Sequence, residues 1–371
     1  MSRRATSLPL LLLLAAAPAA PADEASSPLV EKIELFRHDV GRIEWSAQGD
    51  WLAFDRTAER GLYQIHVMKP DGTFERCLTC DHYDLRKTNA FNPTWHPSGD
   101  MIVFQVQSEA RRLDMDPVEL ATANRGLFSD LWLIQREGRN LWQLTRVVEQ
   151  GGAILDPHFS YEGNHLLWSQ RVRSRVGRWG VWELKVAELK GSRHAPRLAK
   201  PKSWEPGPQK LFLAGSAFTP DDGGAYVAGN REPNQRENGM DVYRLDFASS
   251  RLERLTHSRN AWDEKARATA GGDRILWLSA GEITLRDAGP DPPLPLEQLR
   301  ELWVMNLDGS DKQRLTFFND PAAQESLGAA IVAHHTQSPA GDEVLLQVLW
   351  PHRGGVRESA YRLTLDASFR R

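Results

Sequence analysis

A phrase of about ten residues recurs six times along this chain, and it restricts the fold more than any other feature of the sequence. In the clearest copies, residues 45–54 and 95–104, an aromatic residue precedes a polar turn ending in Gly-Asp, and an apolar strand follows. The other copies span residues 159–168, 218–227, 269–277 and 338–346, and the copy at 218–227 reads as though one residue were inserted. Such repetition predicts an array of similar structural units.

A second phrase completes each unit. It consists of an alternating strand, a tight turn and a further strand that ends in Leu-Thr, at Thr79, Thr145, Thr256 and Thr316. Asp71-Gly72 is a typical turn of this kind, because glycine tolerates the positive φ that a two-residue hairpin requires. Each unit is therefore predicted to hold four antiparallel strands.

The spacing of the units predicts a propeller. The anchors of the six copies are 50 to 69 residues apart, which suits a four-stranded blade with loop insertions. The sixth unit ends near residue 365 without room for a fourth strand, whereas a spare strand precedes the first unit at residues 30–36. We predict an all-β, six-bladed β-propeller of four-stranded antiparallel blades, whose N-terminal strand completes the last blade and closes the ring.

Both phrases resemble the WD40-like repeat of the TolB-like propellers, over about residues 30–366. The same repeat is similar to the propellers of dipeptidyl-peptidase-type proteins, which carry a separate hydrolase domain. The sequence contains no Gly-x-Ser-x-Gly motif, which excludes that peptidase activity.

The start of the chain is typical of an exported bacterial protein. Arg3 and Arg4 precede a short apolar run and small residues, which predicts a signal peptide at residues 1–22 with cleavage after Ala22. A short segment at 23–29, the propeller at 30–366 and a C-terminal tail at 367–371 would follow. We expect a periplasmic or secreted monomer without a transmembrane segment. The net charge of -3 does not favour nucleic acid as a partner.

Long insertions are predicted on one face of the ring. If strands A to D run outward from the axis, the B–C loops and D–A connections emerge together on this loop-rich face. One insertion carries the candidate partner-binding residues Arg171, Arg173, Arg175, Arg178 and Trp179. Guanidinium groups bind carboxylates and phosphates in a bidentate manner, which favours an envelope protein or an acidic ligand as partner. Solvated loop charge is the alternative interpretation.

A second candidate site consists of polar residues that precede the strand-A anchors. We expect them at the channel mouth on the same loop-rich face, as a ligand-binding set: Arg42, Glu44, Asn92, Asp156, His158, Lys265, Arg267, His334 and His335. Polar lining of a water-filled channel explains them equally well. We assign no catalytic residue and no cofactor. Alternatively, histidines and an acid from different blades hold a divalent metal ion, as the resemblance to propeller-based, metal-dependent oligogalacturonate lyases implies.

The two cysteines, Cys77 and Cys80, form a candidate disulfide. Residues i and i+3 point to opposite faces of a strand, so a disulfide requires the strand to end or turn between them. Export favours oxidation. Two packed thiols or a redox centre are the alternatives.

Three functions remain open at this stage. The first is a protein- or ligand-binding module of the cell envelope that uses the arginine-rich, loop-rich face. The second is a metal-dependent lyase or hydrolase that acts on acidic glycan at the channel mouth. The third is a structural scaffold in an envelope complex.

Overall fold

A computed structural model describes residues 25–370 apart from 59–60, 108–127, 175–179, 193, 237–238, 259–260, 282 and 284–293. Within these ranges the strands form six four-stranded antiparallel sheets. Each sheet packs on the next, and the last contacts the first, so the sheets close into a ring. The predicted six-bladed β-propeller is confirmed. The predicted signal peptide lies outside the described residues.

Each of the first three blades is a sheet whose strands follow the order of the chain. The first blade contains β2 (Ile43–Trp45), β3 (Leu52–Thr57), β4 (Tyr63–Met68) and β5 (Arg76–Cys77). The second contains β6 (Ala90–Trp95), β7 (Met101–Gln107), β8 (Ser129–Gln135) and β9 (Leu141–Gln143). The third contains β10 (Ala153–Phe159), β11 (His165–Arg173), β12 (Val181–Lys190) and β13 (Arg197–Trp204).

The remaining blades follow the same pattern except at the closure. The fourth contains β14 (Leu213–Phe218), β15 (Gly224–Gly229), β16 (Asp241–Asp246) and β17 (Leu252–Arg254). The fifth contains β18 (Asp263–Ala268), β19 (Arg274–Ser279), β20 (Glu301–Asn306) and β21 (Gln313–Arg314). The sixth contains β22 (Ile331–Gln337), β23 (Glu343–His352), β24 (Gly355–Leu365) and, as its outer strand, β1 (Val30–His38).

The N-terminal strand closes the ring as predicted. β1 runs antiparallel to β24, and Ile33 lies opposite Leu363. Val30 and Ile33 pack against the apolar core of the last blade. A 3₁₀ turn at Ala367–Arg370 follows β24, and Phe369 is buried in the same core. Within the described part of the predicted tail, Phe369 therefore packs on the propeller.

The first repeated phrase builds the turn between strands A and B. In the first blade the Ser46 hydroxyl accepts the N–H of Trp51 at 3.1 Å and donates to Asp50 at 3.2 Å. Gly49 adopts a φ of 76°, which favours glycine. In the fourth blade Asp222 occupies the equivalent position with a φ of 54°. No residue is inserted there, because Phe218 pairs with Ala225 over the same seven-residue step that joins Trp45 to Leu52.

The Leu-Thr phrase fixes the fourth strand to the third. The Thr79 hydroxyl accepts the N–H of Ile65 at 2.9 Å and donates to Gln64 Oε1 at 2.6 Å. Thr145, Thr256 and Thr316 repeat this arrangement with Asp130, Asp241 and Glu301 respectively. Each threonine thus satisfies a buried backbone donor where a strand begins, which explains why the phrase recurs.

Candidate functional site

Equivalent positions of the six A strands form two rings around the channel. The turn-side ring lies one residue before each anchor and contains Glu44, Thr94, His158, Ala217, Arg267 and Thr336. The loop-side ring lies three residues before each anchor and contains Arg42, Asn92, Asp156, Gly215, Lys265 and His334. The channel chemistry therefore follows from two positions of the repeat.

One carboxylate ties three blades together in the loop-side ring. Asp156 of the third blade lies 3.0 Å from Arg42 Nη1 of the first and 2.6 Å from Lys265 Nζ of the fifth. These groups are largely or fully buried, so their attraction is only weakly screened by solvent. The pairs cross the channel between alternate blades.

The turn-side ring joins the same three blades. Arg267 Nη1 donates to Glu44 Oε2 at 2.9 Å, and Arg267 Nη2 lies 3.2 Å from His158 Nδ1. Arg42 Nη2 donates to Glu44 Oε1 at 2.9 Å and so connects the two rings. His334 Nε2 lies 3.0 Å from the same oxygen. Each of the two channel carboxylates is thus held by two cationic side chains.

The backbone of the A strands is irregular near these side chains. A β-bulge interrupts strand A in five blades, between the positions of the two rings or directly beside them. Asn92, Asp156 and Lys265 have φ values of 58°, 48° and 58°. Such strained positions cluster at functional sites, where bulges redirect side chains.

The pKa values of Glu44 and of the channel histidines lie below their ordinary values. Burial opposes charge on Glu44, but Arg267, His334 and Arg42 outweigh it and hold the pKa of this carboxyl well below its ordinary value. Burial, with Arg267 and Arg42 nearby, lowers the pKa of His158 and His334 well below the ordinary value. Burial and then Arg267 lower the pKa of His335 to about 3.

A cavity of about 400 Å³ ends on these groups. Glu44, His158, Arg267 and His335 line it together with A–B turns of five blades, and Trp95 and Tyr161 contribute to its wall. It therefore opens among the A–B turns, whereas we expected the channel residues at a mouth on the loop-rich face. Glu44 lies near the turn end of its strand, because a single residue separates it from the turn at Ser46.

Two of the predicted channel residues take no part in the ion pairs of the rings. Asn92 donates instead to Gln105 Oε1 at 2.7 Å, within its own blade. His335 Nε2 lies 2.6 Å from the Lys265 carbonyl oxygen, outside both rings. Sequence reasoning missed Thr94, whose hydroxyl accepts Arg42 Nη2 at 3.2 Å. Its offset from Trp95 equals that of Glu44 from Trp45, so aligning the repeats would have found it.

The described arginines of the insertion, Arg171 and Arg173, do not line the channel cavity. Arg171 is half-buried, and Arg173 lies 3.8 Å from Glu205. Arg175, Arg178 and Trp179 lie outside the described residues. The structure thus places the described part of this insertion and the channel residues in different sites.

The cysteines lie at the outer part of the first blade. β5 ends at Cys77, and the Sγ atoms of Cys77 and Cys80 are 2.02 Å apart, the distance of a disulfide. Among the described residues, one group of three or more His, Cys, Asp or Glu side chains has ligand atoms close enough for a metal ion. It consists of His66, Cys77 and Cys80.

Comparison with known proteins identifies the fold of this chain. No family model and no curated protein matches the sequence. A structure from Agrobacterium tumefaciens assigned as TolB superposes with a TM-score of 0.51 at 15% identity, covering 92% of this chain and 100% of that one. This chain has the fold of the TolB-like propellers.

Two further solved structures are similar to this chain. An oligogalacturonate lyase in complex with manganese has a TM-score of 0.50 at 10% identity and covers 94% of this chain and 100% of its own. TolB from Acinetobacter baumannii has a TM-score of 0.48 at 14% identity, with 88% of this chain covered, and this chain spans 63% of its length. At these identities the likeness concerns the fold alone.

Proposed function

We propose that this chain is an exported binding propeller of the bacterial cell envelope, periplasmic or secreted, that takes a carboxylate-bearing segment of a partner protein into the channel cavity. The function is recognition, and no covalent chemistry is part of the proposal.

The Arg267 guanidinium at the base of the cavity carries this proposal. Its contacts with Glu44, the His335 carbonyl and His158 use at most three of its five N–H donors within the described part of the chain. His158 accepts at Nδ1 while neutral, so its proton resides on Nε2. The cavity thus presents hydrogen-bond donors, and aromatic walls suited to a side chain surround them.

The charge of the two rings also favours an anion. In the described part of the two rings, Arg42, Lys265 and Arg267 accompany the carboxylates Glu44 and Asp156, and the pKa values of His158 and His334 are lowered. A third buried carboxylate, Asp55, accepts the Arg42 N–H at 3.2 Å behind the loop-side ring. Arg267 is the cationic side chain of this set that lines the cavity, and its guanidinium can attract a carboxylate there.

The same charge balance does not suit the manganese of the oligogalacturonate lyase. A divalent ion prefers carboxylates that are free to coordinate it. Glu44 and Asp156 are each held by two cationic side chains. We therefore propose that this channel binds a ligand, and we prefer this function to a metal-dependent lyase or hydrolase reaction.

Capture of partners from a bacterial envelope extract tests the proposal. Wild-type protein is compared with Arg267→Met and Arg267→Lys, and Arg139→Gln, an exposed arginine of the second blade, is the matched control. Loss of a charge-assisted contact weakens binding by about tenfold to a hundredfold. A partner held by wild type and Arg139→Gln but lost by Arg267→Met supports the cavity. Equal capture by Arg267→Met overturns it.

An acidic glycan is a second source of carboxylates. Calorimetric titration of wild type and Arg267→Met with trigalacturonate distinguishes it from a protein partner. If capture instead fails after trimming of residues 171–180, recognition belongs to the arginine-rich, loop-rich face. Capture that survives both changes assigns the chain to scaffolding through another surface.

A further inference from the structure

A compact group of sulfur and nitrogen atoms lies in the first blade, away from the channel rings. His66 of β4 pairs directly with Cys77 of β5 across the antiparallel ladder. The ligand atoms of His66, Cys77 and Cys80 all lie within 4.8 Å of one another. Three residues of types that bind borderline-soft metal ions thus meet at one point.

His66 is buried without a hydrogen bond that meets ordinary geometry. Its exposed fraction is 9%, and neither ring nitrogen has a hydrogen-bond partner within the described residues. Nδ1 lies 3.4 Å from Glu75 Oε1, and the ring stacks on Phe54 with centroids 5.4 Å apart. Buried polar groups are nearly always satisfied, so an imidazole in this state is suited to an additional ligand.

The cysteines have a backbone hydrogen bond and an adjoining cavity. The Cys80 N–H donates to Cys77 Sγ at 3.0 Å, a bond that stabilises negative charge on sulfur. An adjoining cavity of about 590 Å³ is lined by His66, Cys80, Arg56 and Arg86. The cavity gives an ion access to the site.

We propose that His66, Cys77 and Cys80 form a redox-gated Zn²⁺ site, closed while the disulfide is intact and able to bind one ion after its reduction. A dithiol reductant supplies two electrons and two protons, is itself oxidised to a disulfide, and leaves Cys77 and Cys80 as thiols. Zn²⁺ then displaces one proton from each thiol.

The geometry needs only side-chain rotation. Ligand atoms around tetrahedral Zn²⁺ lie about 3.6–3.8 Å apart, given Zn–S and Zn–N bonds of about 2.3 and 2.1 Å. The ligand atoms of His66, Cys77 and Cys80 all lie within 4.8 Å of one another, and the two sulfurs can separate once the disulfide is reduced. Because β5 ends at Cys77, the cysteine side chains can separate without breaking the ladder. His66 and Cys80 line the cavity, so a fourth ligand can reach the ion from there, and Glu75 lies 3.4 Å from Nδ1, where it can orient the imidazole.

Zinc titration of the full protein tests this site. Wild type is reduced with a phosphine and titrated with Zn²⁺ against a chromophoric chelator, and then with Co²⁺, whose thiolate charge-transfer band reports cysteine ligands. The chain has only two cysteines, so that band identifies this site. His66→Asn removes the nitrogen ligand, and His165→Gln of the third blade is the matched control. Thermal melts of each oxidised variant confirm folding.

We expect reduced wild type and reduced His165→Gln to bind one equivalent of Zn²⁺, and the oxidised protein to bind none. His66→Asn should bind Zn²⁺ at least tenfold more weakly. Equal affinity of His66→Asn overturns the histidine ligand. Absence of stoichiometric zinc or of the cobalt–thiolate band in the reduced protein overturns the site. These outcomes are independent of partner capture through Arg267.

Discussion

At the scale of single residues, the threonines of the Leu-Thr pairs hold the strand ends. Thr316 is fully buried, and its hydroxyl accepts the Leu302 N–H at 2.9 Å and donates to Glu301 Oε2 at 2.6 Å. Thr316→Val leaves that N–H unpaired beside a buried carboxyl. We expect the free energy of unfolding, measured by chemical denaturation, to fall by about 1–3 kcal/mol.

Thr316→Ser is the matched control, since it keeps the hydroxyl and loses only a methyl group. It should cost clearly less than Thr316→Val. If the two variants were equally stable, the hydroxyl would have no role in fixing the strand.

At the scale of elements, β1 completes the sixth blade. It covers the outer edge of β24, and Val30 and Ile33 pack on that blade's core. A variant that begins at Asp39 lacks the strand. We expect it to be less stable by about 2–4 kcal/mol, because it loses a hydrogen-bonded ladder and partly buried apolar side chains.

Hydrogen exchange followed by mass spectrometry locates the effect. Peptides from β24 should lose protection in the shortened variant, whereas peptides from β12 in the third blade should keep it. Unchanged protection in β24 would show that β1 does not hold the ring closed.

At the scale of the whole molecule, neutral histidines in the channel make stability depend on pH. His335 has a pKa lowered from 6.5 to about 3 by burial and Arg267. Below pH 6.5 the unfolded chain binds a proton there and the folded protein does not, so the free energy of unfolding falls as the pH drops from about 6.5 towards 3. Because of this histidine alone, the free energy of unfolding should be about 2 kcal/mol lower at pH 5 than at pH 7.

Denaturant unfolding of wild type and His335→Gln between pH 5 and 7 measures this contribution. Glutamine can still donate to the Lys265 carbonyl that His335 Nε2 contacts. The lowered pKa of Glu44 means that its carboxylate is lost only at more acidic pH. The variant should show a flatter pH dependence, and an unchanged slope would mean that His335 is protonated in the folded protein.

Much of the fold was predictable because its signals are local. The Ser46-type turn, the glycine at positive φ and the Leu-Thr pair each act within a few residues, so they recur in the sequence of most blades. Asp222 shows the limit of this approach. A non-glycine residue at the same turn position suggested an insertion that the strand register excludes.

The sequence by itself determined six blades, their four strands and the closure by β1, since local hydrogen bonds and alternation specify these. It also indicated the polar channel positions. Only the tertiary structure decided which of them pair, because Arg42 and Asp156 are 114 residues apart and meet only when the ring closes. The tertiary structure also decided that the cavity opens among the A–B turns. The face on which it opens depends on whether the channel side chains lie near the turn end or the loop end of each A strand.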